Sequence, residues 1–487
     1  MLPGLLDSDR ARTEADRKQG IVKNRIETIG LGIAVLATTF SFGAVEPGSL
    51  LLFELLAAAV FVAWGTRFVA AGNRRLIVPA VAWPLAGLVL LGAAQSVAWT
   101  DGTGTRQSLS MDVETTRRTT VALAALLALC VVAANALAAS LQDRERLQRV
   151  AKAVSIYGFG LALFGLLRHF AFKMPLPWLG TIGSQTLSGP FVNRDHFAGY
   201  LELLIGIPLA MAVVRSARED EERYLHIGAA VMIGITLLFT LSRGGMISLL
   251  AEMIFVAAMG FTLRRRNEAR RGFGEASTGL QQVMGASAIG GILLAILLGV
   301  GWIGAEPILN RLATGGAAGA DASKAGPLQD FRFVIWKDTL RMISQHPVAG
   351  IGLGAYETVY PRFTEYAGTG GFVAQAHNDY LQILADAGIL GGALAVWFLV
   401  TLLRAIGQGL RSRDPLLASL ALGYGAGALG LLTHSMFDFN LQLPSHALLF
   451  LLFSAILSQI AELADQSIPV RPAPAPAPVN LYNEVSS

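Results

Sequence analysis

TTVALAALLALCVVAANALAA, Thr119 to Ala139, contains no charged residue and decides what kind of protein this is. About 20 residues at 1.5 Å rise per residue cross the hydrocarbon core of a bilayer, so an uncharged run of this length reads as a membrane helix. Val283 to Gly304 reads the same way. The pattern extends along the chain of 487 residues, of which 53% are hydrophobic and only 15% charged, with a mean hydropathy of +0.53. A soluble domain carries roughly a quarter charged residues, so this chain lacks the polar surface to face water on all sides. The expected fold is all-α and integral to the membrane, with about twelve transmembrane helices.

Working outward, apolar runs place spans near Ile29–Val45, Leu50–Ala71, Leu76–Trp99, Thr119–Ala139, Val150–Phe172, Phe197–Val214, Tyr224–Leu241, Gly245–Leu263, Val283–Gly304, Tyr380–Leu403, Leu416–His434 and Ser445–Leu463. The net charge of +4 does not indicate nucleic-acid binding, because most of the 38 lysines and arginines fall in short segments on one side. That placement is the positive-inside pattern, and it puts both termini in the cytoplasm. Met1 to Arg25 is polar and mixed in charge, so the first apolar run is expected to stay as a span. Cys130 is the single cysteine, which excludes a disulfide within one chain. The chain thus divides into a cytoplasmic segment (1–28), spans one to nine (29–304), an outward loop (305–379), spans ten to twelve (380–463) and a Pro/Ala-rich cytoplasmic tail (464–487).

The outward loop opens on small residues (ATGGAAGADASKAGP). Leu328 to Gln345 then shows helical spacing, with Phe331, Ile335 and either Val334 or Trp336 on one side, continuing to Leu340 and Ile343; His346-Pro347 ends it. VAGIGLGAYETVYPRF is Gly-rich then aromatic, which suits a turn and a short helix at the interface. A loop this long is usually functional.

Polar groups gather at the outward ends of the spans. Leu241-Ser242-Arg243-Gly244-Gly245 is a tight turn whose arginine suits a phosphate or diphosphate; an arginine reaching to lipid headgroups is the structural alternative. Arg332, on the loop helix, is a second possible phosphate clamp or a solvated helix-face residue. His377, in Gln375-Ala376-His377-Asn378-Asp379-Tyr380, is a base candidate because histidine ordinarily titrates near pH 6.5; as a helix-capping group it would need no catalytic role. Asn193, Arg194 and His196, in GPFVNRDHFAGY, sit where an outward loop re-enters the membrane and either touch a polar substrate or anchor the interface. Asp379 and Tyr380 are further substrate-binding candidates. His434, Asp438 and Asn440 lie at the same level. Glu54, Glu202, Glu252 and Asp386 fall inside spans and are expected to pair with neighbours. No P-loop, HExxH or GxSxG motif is present, which leaves a nucleotide-driven pump, a zinc protease and a serine hydrolase of the usual pattern unsupported.

FVNRDHFAGYLELLIGIPLA, LLFTLSRGGMISLL, FRFVIWKDTLRMISQHPVAGIGLGAYETVYPRF and AHNDYLQILADAGILGG, in that order from Gly189 to Gly392, resemble the O-antigen ligase/O-antigen polymerase family of bacterial membrane glycosyltransferases. The resemblance implies transfer of a glycan from an undecaprenyl-diphosphate carrier to an acceptor at the periplasmic face, without metal or other cofactor. It maps the family's turn arginine onto Arg243, its loop-helix arginine onto Arg332 and its histidine onto His377. Arg117 and Arg118, at the mouth of the fourth span, match no family motif but are the nearest basic residues in an early outward loop. The acceptor is lipid A core for a ligase or a second carrier-linked glycan for a polymerase; a third branch modifies protein side chains. The acceptor would enter beside the long loop, whose aromatics (Tyr356, Tyr360, Phe363, Tyr366) would suit sugar stacking. The rival reading is a transporter or flippase of lipid-linked glycans. It would call for internal repeats and a charged central route, whereas the sequence shows no repeat and gathers its polar groups at one face.

Overall fold

The computed structural model describes residues 25–72, 75–100, 102–138, 144–171, 187–214, 222–270, 290–294, 296–298, 301, 331–364 and 373–466. Among them, nine helices are long and apolar enough to cross a membrane, and two shorter apolar helices accompany them. They fall on the predicted spans other than Val283–Gly304, which lies largely outside the described residues, with 290–294 and 296–298 helical. The polar first segment, the small-residue start of the outward loop, Tyr366 and the Pro/Ala tail lie outside as well.

In chain order the helices are α1 (Arg25–Phe40), α2 (Pro47–Ala70), α3 (Ala82–Gln95), α4 (Val113–Ala138), α5 (Arg144–Phe170), α6 (Arg194–Val214), α7 (Glu222–Phe239), α8 (Arg243–Arg270), α9 (Phe331–Gln345), the single turn α10 (Tyr356–Val359), α11 (Asp379–Leu410), α12 (Pro415–His434) and α13 (Pro444–Gln466). A two-stranded antiparallel hairpin, β1 (Ala98–Thr100) with β2 (Arg106–Ser108), pairs Trp99 with Gln107. Helix α6 runs through the middle, buried from His196 to Val214, and packs against α12 with almost no side chain between them. A Cβ on Gly206 would stand 2.2 Å from the Gly423 carbonyl, the close backbone approach that small residues permit between membrane helices. The outer helices turn residues such as Leu52, Leu55, Val62, Leu390, Val396 and Trp397 away from the protein, as lipid-facing surfaces do.

At one end of the bundle the outward loop folds as a small core of its own. Ile335 and Met342 on α9 bury against Tyr356, Val359, Tyr360 and Phe363. This corrects two expectations. Leu340 is 55% exposed, because the buried stripe runs through Ile335, Asp338, Thr339 and Met342 instead. Tyr356, Tyr360 and Phe363 are the loop's interior and not a sugar-stacking surface: the Tyr356 hydroxyl bonds Thr339 at 2.6 Å, and Tyr360 donates to Asp338 at 3.1 Å. Hydroxyl and carboxylate pair inside the stripe, so polar residues occupy positions that a hydrophobic periodicity assigns to the surface.

The Gly-rich segment after α9 clamps this core to the membrane helices. Helix α11 breaks at Gly388 (φ +60°), freeing carbonyls that accept from Ile351 (2.9 Å, at Ala385) and Gly352 (3.0 Å, at Asp386). Gln95, at the end of α3, donates to the Ala349 and Asp386 carbonyls and accepts from the Leu353 amide at 3.0 Å. Asp386, an acid inside a predicted span, does find partners there: Gln382 Nε2 donates to both its oxygens and the Gly354 amide donates at 3.1 Å. The early outward loop joins through Met111 N–H to the Ile351 carbonyl (2.8 Å) and through the Thr358 hydroxyl to Asp112 (2.9 Å).

At Gly350 (φ +72°) an added Cβ would meet the Asp386 and Ala387 backbone at 2.4 Å, which no side-chain rotation relieves. Gly350→Ala is therefore expected to destabilise the clamp by about 2–4 kcal/mol, combining left-handed strain with overpacking. Faster proteolysis of the outward loop and a lower thermal midpoint in detergent would register it; unchanged values would contradict this account of the clamp.

Candidate active site

Among the helices that begin at the end of the bundle that carries the loop, α6, α8, α11 and α13 turn their partly positive N-termini to one region. Such an end favours anions before any side chain is considered.

His377 sits where the chain turns into α11. Its backbone is left-handed (φ +50°), and the next residue, Asn378, caps the helix by accepting from the Tyr380 and Leu381 amides at 3.0 Å each. That cap leaves His377 outside the helix with its ring toward the turn between α12 and α13. There its Nδ1 meets Asp438 Oδ1 at 3.0 Å, and the Phe439 amide donates to the same oxygen at 3.0 Å. Burial alone would raise the Asp438 carboxyl. The His377 hydrogen bond and the nearby His196 and His434 outweigh it and hold this acid well below the usual carboxylate range. With Nδ1 engaged, Nε2 is the nitrogen left to face a reactant.

The turn itself is bolted to α11. Asp379 accepts from the Ser435 hydroxyl (2.7 Å), the Leu441 amide (3.0 Å) and Gln442 Nε2 (3.3 Å), while Asn378 Nδ2 donates to the Met436 carbonyl at 3.0 Å. Tyr380 donates its hydroxyl to the Leu432 carbonyl at 2.8 Å. Asp379 and Tyr380, expected from sequence to touch substrate, thus also have structural bonds: Asp379 to the turn that carries Asp438, Tyr380 to the last turn of α12.

Arg332 approaches from α9. One helical turn further on, Trp336 Nε1 donates to the Ala376 carbonyl at 3.0 Å, which fixes the face of α9 bearing Arg332 beside His377. The Arg332 guanidinium reaches Asp195 Oδ2 at 3.9 Å, at the first turn of α6. His196 follows. Its ring and that of His377 both lie edge-on to Phe439, with centroids 4.8 and 4.9 Å away. His196 is nevertheless buried, so it stands behind the site. Asn193 caps α6 by accepting from the Asp195 amide at 2.9 Å, a structural use the sequence reading did not give it. Arg194 is half-buried on the same first turn.

Arg243 is the first residue of α8. Its turn is shaped by Leu241 in a left-handed conformation (φ +58°) and by Ser242, whose Oγ accepts from the Gly245 amide at 3.1 Å. Ser242 also lies 3.5 Å from His434 Nε2, at the last residue of α12, directly before the turn bearing Asp438. Arg243, Arg332 and His377 are therefore carried by elements that meet around the same short turn. Arg117 and Arg118 are not brought in. Both are exposed at the start of α4, Arg117 directed at the Ser96 carbonyl (3.5 Å) and Arg118 paired with Glu114 (3.0 Å).

Sequence reasoning missed three partners: Asp195 for Arg332, Asp438 for His377, and Arg168, which donates to the Gly189 carbonyl at the end of α5. Nothing in spacing marks them: Asp195 and Asp438 meet their partners across segments far apart in the chain, and Arg168 reaches a backbone carbonyl in the next loop. The sequence's one Asp-x-Asp spacing, Asp7-Ser8-Asp9, falls outside the described residues, and among those described no group of three or more metal-ligating side chains occurs.

Residues 228–396 match the family model described as O-antigen ligase. Over those residues the chain is similar to the O-antigen ligase family. No curated protein matches the chain. The matched stretch contains Arg243, Arg332 and His377, so all three stand inside the O-antigen ligase region, whereas the segment from Gly189 to Ile227 and the turn carrying Asp438 lie beyond it. The family match and the nine long apolar helices among the described residues indicate a multi-pass membrane protein.

Proposed function

We propose that this protein transfers a glycan from an undecaprenyl-diphosphate carrier to an acceptor, with Arg243 and Arg332 on the diphosphate and His377 on the attacking hydroxyl. The observation that carries the reading is the convergence just described: a histidine oriented by a buried aspartate, beside two arginines at helix N-termini, within the O-antigen ligase region. Glycosidic bond breakage leaves growing negative charge on the carrier diphosphate. Fixed arginines stabilise that charge more in the transition state than in the ground state. In this reading the Arg332–Asp195 pair opens as phosphate oxygens replace the aspartate. His377 Nε2 takes the acceptor's hydroxyl proton while Asp438 stabilises the imidazolium that forms. One displacement at the anomeric carbon inverts its configuration. The reaction is read as metal-independent because the arginines neutralise the phosphates.

The site faces the periplasm of the inner membrane in this reading, both termini lie in the cytoplasm, and the outward loop (305–379) covers the acceptor's approach. Lipid A core is the preferred acceptor, because the order of turn arginine, loop arginine and histidine follows the ligase pattern.

Purified protein would be incubated with a carrier-linked oligosaccharide and either lipid A core or a second carrier-linked glycan, with and without EDTA. Transfer to lipid A core, indifferent to EDTA, is expected. A ladder of longer carrier-linked chains would make it a polymerase using the same site. No transfer to either acceptor, with glycan-lipid crossing a proteoliposome membrane, would overturn the proposal in favour of a transporter.

A further inference from the structure

Behind the Arg243 turn lies a buried ionisable pair that the reaction itself does not use. His434 Nδ1 meets Glu202 Oε1 at 2.9 Å, with Glu202 fully buried in α6 and His434 only 1% exposed at the end of α12. The other face of the imidazole is pressed on the turn. Ser242 Oγ lies 3.5 Å from Nε2, and a Cβ on Gly244 would stand 2.5 Å from Cδ2 and 2.6 Å from Nε2. An ionisable pair inside a membrane bundle is costly and marks a use. Serine, histidine and glutamate in this order have the residue types of an acyl-transfer triad. Ser242, however, is completely buried, and its oxygen already accepts the Gly245 amide, so no substrate reaches it.

We propose that Glu202 and His434 are positioning residues that set the Arg243 turn for the carrier diphosphate. Glu202 fixes the imidazole from α6. The imidazole in turn backs Ser242 and Gly244, the two neighbours of Arg243, and so fixes the direction in which the guanidinium leaves α8. Leu241 holds the left-handed backbone of this turn without being glycine, which is sustained only where the surroundings over-determine it. The inference rests on reading Arg243 as the diphosphate clamp.

The test uses the full-length purified protein and measures equilibrium binding of undecaprenyl diphosphate, alongside KM and kcat of transfer. Glu202→Leu removes the acceptor of the Nδ1–H; Glu202→Gln keeps an acceptor and loses only the charge. Glu202→Leu is expected to weaken carrier binding roughly tenfold and to raise donor KM more than it lowers kcat, as loss of one charge-assisted contact would. Glu202→Gln recovers most of that loss. In an Arg243→Ala background, Glu202→Leu adds nothing further, because it acts only through the arginine. Multiplying effects of the two substitutions, or normal carrier binding by a folded Glu202→Leu protein, would overturn the proposal. Should Glu202→Leu not fold, Gly244→Ala, which displaces the turn from the imidazole, reads the same coupling. Arg243→Ala binding the carrier as tightly as the parent would instead sink the clamp reading itself.

Discussion

Arg243→Ala is expected to lower glycan transfer by roughly 10²–10³-fold, the scale on which removal of one pre-aimed charge-stabilising group acts. The arginine starts α8, so the helix dipole and the guanidinium add at one point. Its turn is fixed by the Ser242 cap, the left-handed Leu241 and the His434 ring behind it. Little reorganisation is then needed when charge develops on the leaving diphosphate. Arg243→Lys should recover only part of the rate, since an ammonium keeps the charge and loses the two-pronged geometry. Initial rates with saturating acceptor would report both substitutions. A lysine variant as active as the parent would mean that charge alone suffices and that the shaping of the turn is irrelevant to catalysis.

His377→Ala is expected to cost roughly 10²–10⁴-fold in kcat, the contribution of a positioned general base. Asp438→Asn should cost about 10–100-fold, as the loss of a hydrogen bond to a charged group worth about 1.5–3 kcal/mol implies. The pH dependence of that second loss has a defined form. The Asp438 carboxyl is held below its ordinary value, so its charge is complete above the unfolded carboxylate's range and disappears only as pH falls through the lowered value. Across about pH 5–8 the aspartate stays ionised, and Asp438→Asn should depress transfer throughout that window. An Asp438→Asn deficit that vanishes toward pH 5 would show the aspartate titrating within the range, contrary to the environment described.

The membrane frame was legible because uncharged runs of bilayer length have few alternative readings; Thr119–Ala139 alone fixes the class. The three residues proposed to act together were singled out for a different reason, the order of short motifs around Arg243, Arg332 and His377. What escaped the sequence was decided by contacts between distant segments. Asp379 reads as a polar residue at the mouth of a helix, yet its oxygens are taken by Ser435, Leu441 and Gln442. Leu340 and Ile335 are equally apolar in sequence, but only Ile335 meets Tyr356 and its neighbours, because Asp338 and Thr339 have hydroxyl partners that let them sit inside. Asp438 was visible as a polar residue at the right level, but its pairing with His377 is decided only when α12 and α13 bring their connecting turn against the start of α11. Glu202 was recognisable as a costly acid in a span; its partner, more than two hundred residues away, was not.

The central claim is that Arg243, Arg332 and His377 act on one substrate in one place, and separating binding from chemistry tests it most directly. For the parent protein and for Arg243→Ala, Arg332→Ala and His377→Ala, the affinity for undecaprenyl diphosphate would be measured beside single-turnover transfer from the carrier-linked glycan. The account predicts that both arginine variants bind the carrier about tenfold or more weakly, and that His377→Ala binds it normally while failing to transfer. Normal transfer by His377→Ala, or carrier affinity unchanged in both arginine variants, would contradict it.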